Sequence, residues 1–305
     1  MRHFLTRLRH RILREISQIK RLQIRGEQAY QKALQDYATH KPILSRCDLQ
    51  IVNSLEREGI FVTSLDNLQI PLTCQLIHAC QNLLPKILAA SPSSPKDYLL
   101  KVPPEQLMEY PQLFHWGLEE RLLNIVENYL ALPVAYHGLY FRRDLANKIQ
   151  RRTRLWHLDK EDYRMLKIIL YLNDVGENGG CFQYIPKTLT HSILRRLNYN
   201  YGTIKDQVME QVVPQEHWKS CPGSSGTLLF VDSAHIFHRG QVPIGSDRLS
   251  IFFDYTSRVP KYPYYCKTDF SIQQLMALSH GLCPRKKGCV FWNKKLLRDS
   301  QNCSD

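Results

Sequence analysis

Residues 226–253 read GTLLFVDSAHIFHRGQVPIGSDRLSIFF, and the fold turns on how this stretch is parsed. Its ends, Thr227 to Val231 and Leu249 to Phe253, are apolar runs rich in β-branched and aromatic residues. Pro243 and Gly245 lie between them. Such runs bounded by turn formers spell strands, and the turn between them predicts that the chain doubles back. The middle carries two histidines, His235 and His238, and a hairpin returns Arg248 toward the second of them.

Working outward, the same β-type text recurs at Lys167 to Leu172 and at Cys181 to Ile185. Several short strands with few helices between them predict a sandwich or barrel, not a doubly wound sheet. Upstream the text is mostly helical, with apolar residues at helical spacing at Ala29, Ala33, Leu34 and Tyr37 and again at Leu76, Ile77, Cys80, Leu83 and Leu84. A short strand is expected at Gly59 to Thr63, and Ser91 to Pro95 reads as a loop. The expected class is mainly β with helical decoration. The expected organisation is a basic amphipathic helix over 1–25, a mainly helical segment over 26–131, a β core over 132–260 with a helical insert at about 187–221, and a basic extension over 261–305.

The formal charge of +13 is concentrated at the two ends. Residues 1–25 hold eight basic residues against Glu15, and residues 285–305 hold six against Asp299 and Asp305, so the middle is nearly neutral. At the N-terminus Leu5, Leu8, Ile12, Ile16, Ile19 and Leu22 form one apolar stripe among arginines. That pattern suits a peripheral membrane contact or a targeting peptide, and equally a helix docked on the protein body. Near the C-terminus Phe291 and Trp292 stand among Arg285, Lys286, Lys287, Lys294 and Lys295 as candidate stacking residues for nucleic acid. A solvated basic tail is the commoner meaning of such a run, and charge alone supports only non-specific binding. Nine cysteines include no CxxC pair, so neither structural zinc nor a disulfide framework is expected, and a cytoplasmic setting is. No apolar run is long enough for a membrane-spanning helix.

Chemistry is suggested by His157-Leu158-Asp159. On a strand the two side chains point to one face and can share an ion, although His-x-Asp by itself is a chance-grade motif. A second histidine completes a set of two imidazoles and one carboxylate, which leaves a metal open positions. His235 and His238 compete for this role; His238 is favoured by its spacing to Arg248, with His235 then a supporting residue. Arg248 presents a fork for a carboxylate, and Ser250, two residues along the same strand, adds a hydroxyl on the same side.

Taken in order, Trp156-His157-Leu158-Asp159, Leu166 to Val175, Asn178-Gly179-Gly180 through Pro186, Gly226 to Asp232, His238-Arg239-Gly240 and Asp247-Arg248-Leu249-Ser250 resemble the phytanoyl-CoA dioxygenase-like branch of the Fe(II)/2-oxoglutarate oxygenases. The resemblance is strongest over about residues 140–258. It implies a double-stranded β-helix core of jelly-roll, cupin-like type. It also implies Fe(II) on His157, Asp159 and His238, and 2-oxoglutarate anchored by Arg248 and Ser250, with Tyr171 and Lys167 as further candidate contacts to the cosubstrate. The implied reaction consumes O2, releases succinate and CO2, and oxidises a small-molecule substrate. The retained Asp159 argues for hydroxylation over halogenation, since related halogenases lack that carboxylate. At Pro186-Lys187-Thr188 the sequence departs from the family's common Pro-Gly-Ser-His turn, which puts substrate contacts there in doubt. Arg142, Arg143, Arg151, Arg152 and Arg154 crowd the approach to His157 and point either to an anionic substrate or to ion pairs with Asp144, Glu161 and Asp162. The insert at 187–221 is a candidate lid. Rival readings are a non-catalytic β-helix protein engaging a membrane or nucleic acid through its basic ends, and a cupin-like isomerase or hydrolase that uses the triad without Arg248.

Overall fold

The computed structural model describes residues 19–293. Nine strands form two antiparallel sheets: β1 (Ile60–Ser64), β2 (Leu99–Lys101), β3 (Val134–Asp144), β4 (Leu166–Tyr171), β5 (Phe182–Tyr184), β6 (Lys219–Cys221), β7 (Thr227–Asp232), β8 (His238–Gly240) and β9 (Arg248–Ser257). The larger sheet has the order β1-β7-β4-β9-β3-β2, and the smaller one β6-β5-β8. From β4 onward the chain crosses to the smaller sheet for β5 and β6, returns to the larger one for β7, crosses again for β8 and returns for β9, so four of these five connections link the two sheets.

Alternation along the central strands sorts their side chains. On β4 Leu166, Ile168 and Leu170, on β7 Leu228 and Phe230, and on β9 Leu249, Ile251, Phe253 and Tyr255 join one buried cluster with the helices. Those helices include Arg46–Glu58, Thr73–Ala89, Pro111–Trp116 and Glu120–Leu130. The opposite set, with Ile169, Tyr171, Leu229 and Val231, packs against Cys181, Phe182 and Cys221 of the smaller sheet. The larger sheet is thus covered on both faces, which explains why its strands read as continuous apolar runs. Helix Arg46–Glu58 starts where Ser45 Oγ accepts the Asp48 amide and stops at Gly59, whose φ of 79° suits the turn into β1. Gly117 is fixed for another reason. A Cβ there would lie 2.4 Å from Tyr136 Oη and 2.9 Å from Phe253 Cδ1, both in the packed core. Gly117→Ala is therefore expected to destabilise the protein by about 1–3 kcal/mol through overpacking, measured as a lower urea midpoint with an unchanged slope.

The N-terminal stripe falls mainly outside the described residues. Its end is seen in helix Lys20–Tyr37, which runs unbroken through Gly26, so the boundary drawn at residue 25 lies inside a helix. The C-terminal extension is folded through residue 293, contrary to a solvated tail. Arg285 pairs with Glu120 and Glu127, and Lys286 lies 3.6 Å from Glu119. Phe291 packs on the core, and Trp292 stands edge-on to His137 at 5.4 Å. Acids on helix Glu120–Leu130 and its leading turn draw the basic segment onto the body, so these aromatic rings are occupied by packing. Lys294, Lys295 and Arg298 lie outside the described residues. The eight described cysteines are all free thiols. Among the described residues no helix is long and apolar enough to cross a membrane.

The insert forms helices Lys187–Arg196 and Asp206–Glu210. It has its own small core, in which Ile193, Ile204, Met209 and Val213 meet Trp156, Ile185 and Phe237. Arg239 clamps it to the smaller sheet through an ion pair with Asp206, with Trp156 and Trp218 4.5 and 5.2 Å from its guanidinium.

Candidate active site

His157 and Asp159 do not lie on a regular strand. Two isolated bridges, Trp156 with Ile204 and His157 with His238, extend the smaller sheet beyond β8. The run ends early because the buried Asp162 carboxylate accepts the amides of Tyr163, Ser257 and Lys261 and turns the chain. The extended geometry nevertheless holds where it matters. The His157 amide donates to the His238 carbonyl at 3.1 Å, the His238 amide returns the bond at 3.0 Å, and the Asp159 amide donates to Ser233 O at 3.0 Å. His157 and His238 are therefore directly opposed, with ring centroids 4.3 Å apart. His157, Asp159 and His238 each offer a ligand atom, and these atoms lie within 4.8 Å of one another.

The donor chemistry suits a divalent metal. His157 Nδ1 donates to Leu155 O at 2.8 Å and His238 Nδ1 to Ile236 O at 3.0 Å. Each Nε2 is left as the lone-pair nitrogen, and these atoms stand 3.8 and 3.7 Å from the Asp159 carboxylate. Burial, then the neighbouring His157, pushes His238 down to about 3, and burial lowers His157 as well, so both rings are neutral ligands at ordinary pH. Burial opposes the charge on Asp159, but the Lys167 ammonium outweighs it and holds the carboxyl well below its usual range. His235 lies apart from the triad, its Nδ1 3.0 Å from Asp232.

Lys167 reaches the site from the inner face of β4, and its ammonium sits 2.6 Å from Asp159 Oδ2. Its cross-strand partner on β9 is Asp254. Glu161 belongs to the same charge cluster, pushed up to about 7 by burial and by Asp159. Neither Glu161 nor Asp254 is marked by spacing in the sequence.

Arg248 is 1% exposed. Register places it directly opposite Asp144 on β3, and its Nε and Nη2 donate to Asp144 Oδ2 at 3.3 and 2.9 Å while Nη1 donates to Gly180 O. One N–H on each terminal nitrogen remains for another acceptor. Arg142 grips the same carboxylate through Nε and Nη2, both at 2.9 Å. Ser250 is fully buried on the inner face, and its Oγ has no hydrogen-bond partner. The Tyr171 hydroxyl donates to Cys221 O and accepts the Phe182 amide, both at 2.9 Å, so it ties the two sheets together.

Burial raises the Asp144 carboxyl, but the Arg142 and Arg248 guanidiniums override it and bring it down to about 2 from an ordinary 3.8. A depressed carboxylate contributes stability that is complete above its unfolded value and lost as pH falls through the folded one. The contribution here is about 2 kcal/mol, lost between pH ~4 and ~2. Urea unfolding across that window is expected to show this loss, and Asp144→Asn to flatten it.

A cavity of about 530 Å³ opens over these groups. His157, His238, Lys167 and Arg248 line its floor, Tyr140, Phe182 and Phe252 its aromatic walls, and Lys96, Asp97, Arg151 and Arg152 its rim. Of the five crowded arginines, three have other partners. Arg142 is on Asp144, Arg143 is on Asp247 at 2.5 Å, and Arg154 is buried against the carbonyls of Tyr98, Leu145, Asn147 and Ile149. Glu161 and Asp162 take none of them.

No protein-family model matches the sequence, and no curated protein does. Solved structures that it resembles include EctD from S. alaskensis with 2-oxoglutarate and 5-hydroxyectoine, at 18% identity over 72% of this chain and 78% of that one, with a TM-score of 0.48. HygX from Streptomyces hygroscopicus with nickel, 2-oxoglutarate and hygromycin B is similar at 16% identity over 70% and 88%, TM-score 0.47. The non-heme alpha ketoglutarate dependent epimerase SnoN from nogalamycin biosynthesis is similar at 15% identity over 70% and 83%, TM-score 0.46.

Proposed function

We propose that this chain is an Fe(II)/2-oxoglutarate-dependent oxygenase built on a double-stranded β-helix, with His157, Asp159 and His238 as iron ligands and a small organic molecule as its substrate. The observation that carries the reading is the convergence of two neutral Nε2 atoms and one ionised carboxylate within 4.8 Å of one another, with both histidines and Arg248 on the floor of one cavity. Iron with 2-oxoglutarate and O2 supplies the oxidising power, with succinate and CO2 as co-products, and we assign hydroxylation as the outcome. The chain's own residues do the positioning. Leu155 O and Ile236 O fix the imidazole tautomers, and Lys167 holds Asp159 Oδ2 and so fixes the carboxylate beside the two Nε2 atoms. Arg248, splinted by Asp144 and Gly180 O, offers its two remaining N–H groups to the distal carboxylate of the cosubstrate, and the unpartnered Ser250 hydroxyl adds a third contact. Phe182 and Phe252 exclude water from the floor.

Anaerobic addition of Fe(II) and then 2-oxoglutarate is expected to produce the visible charge-transfer band of a chelated keto acid. Folded protein that gives no band would overturn the reading. Gly240→Ala supplies a second check away from the ligands. A Cβ at Gly240 would come within 2.9 Å of Arg248 Nη2, so the fork must shift. The KM for 2-oxoglutarate is expected to rise by up to about a hundredfold, the scale of an ångström-sized misplacement.

A further inference from the structure

Each cation deep in the cavity already has an acid: Lys167 has Asp159, Arg142 and Arg248 share Asp144, and Arg239 has Asp206. The exposed Lys101 is paired too, with Asp269 at 2.7 Å. The rim differs. Lys96 and Arg152 are exposed and have no acidic partner among the described residues, and the hydrogen bond of Arg151 is from Nη1 to the Lys96 carbonyl at 3.4 Å. The acid at this rim, Asp97, is held by Ser93 Oγ and the Ser94 amide, both at 2.9 Å. Three cations against one anion leave a positive surplus at the cavity mouth. A divalent metal and a dianionic keto acid cancel each other, so loading the floor leaves that surplus in place.

The backbone there is built to hold these groups. Arg152 has a φ of 50°, a left-handed conformation that a residue with a Cβ adopts only when its surroundings enforce it. Enforcement comes from both flanks. Arg154 is buried against backbone carbonyls of two segments, and Arg151 binds the 93–98 turn through Lys96 O. Two loops distant in sequence are thereby joined with their free cations on one edge of the cavity.

We propose that Lys96, Arg151 and Arg152 form a binding site for an anionic group on the substrate, a phosphate ester or polycarboxylate whose far end reaches the triad. This rests on the oxygenase reading and adds to it the class of molecule oxidised. Oxyanions are recognised by guanidinium and ammonium donors, and a cationic rim above a largely charge-paired floor also orients the substrate, charged end outward.

The test titrates pyrophosphate and citrate, by calorimetry at low salt, into the full chain loaded with nickel(II) and 2-oxoglutarate, which occupies the Arg248 anchor. The test variant carries Lys96→Ser, Arg151→Ser and Arg152→Gly, the last relieving the backbone strain so that folding is not at stake. The control carries Lys32→Ser, Arg57→Ser and Lys219→Ser, an equal charge loss at exposed positions elsewhere. At least one probe is expected to bind the parent and the control alike and to bind the rim variant roughly tenfold or more weakly, the scale of one lost charge-assisted contact. The affinity for 2-oxoglutarate should stay unchanged. Preference for pyrophosphate identifies a phosphate ester, and preference for citrate a polycarboxylate. Absence of binding by both probes, or equal weakening in the rim variant and the control, overturns the proposal. Failure of the oxygenase reading registers separately, as a missing charge-transfer band.

Discussion

Alanine at His238 is expected to abolish 2-oxoglutarate-dependent succinate formation, by at least about a thousandfold, and to remove the anaerobic charge-transfer band. The size follows from what the residue does: removal of a group that merely orients a metal ligand already costs roughly 10–100-fold, and here the ligand itself goes. His238 is 4% exposed and stacks against Phe182 at 5.6 Å. Its loss strands the Ile236 carbonyl, for about 1–3 kcal/mol of stability, so circular dichroism must show folded protein before the activity is interpreted. His235→Ala is the discriminating companion. Its side chain pairs with Asp232 away from the triad, and both band and turnover should survive. An intact band in His238→Ala, or a lost one in folded His235→Ala, would reassign the ligand.

Methionine at Arg248 is the second large effect, and it acts on two observables. The KM for 2-oxoglutarate should rise by about a hundredfold or more, because the loss of a charge-assisted bidentate contact removes about 3 kcal/mol of binding. Stability should also fall. Removing one partner of a buried ion pair typically costs about 3–5 kcal/mol, but Arg142 still holds Asp144, so the lower end of that range is expected. The double variant Arg248→Met with Asp144→Asn should be no more stable than Arg248→Met, because Arg142 then loses its carboxylate, and it should recover none of the 2-oxoglutarate affinity. Undiminished 2-oxoglutarate affinity in Arg248→Met would mean that Arg248 has a structural role alone.

Much of the site is legible in the primary structure because its signals are local. His157 and Asp159 are two residues apart, and an extended backbone turns that spacing into a shared direction even without a full strand. The same period of two separates Leu166, Ile168 and Leu170 from Lys167, Ile169 and Tyr171, so strand faces can be assigned from sequence. Local pattern also misleads. Tyr171 and Lys167 share a face, but the Tyr171 hydroxyl bonds Cys221 O and the Phe182 amide whereas the Lys167 ammonium pairs with Asp159. Phe291 and Trp292 lie among lysines in sequence, yet they pack on the body in space.

What the sequence determined by itself, then, is five of the nine described strands, the face each residue takes on them, and the residue types able to ligate a metal. Tertiary structure alone decided which charges meet. Arg248 and Asp144 are brought together by the register of β9 on β3, and Lys167 and Asp159 by the approach of the smaller sheet. Lys96 joins Arg151 through a loop contact that no periodicity announces. The physical reason is that side-chain direction follows from bonds between neighbours, whereas the pairing of distant charges follows from how strands align and loops dock, which is set by the packing of the whole core.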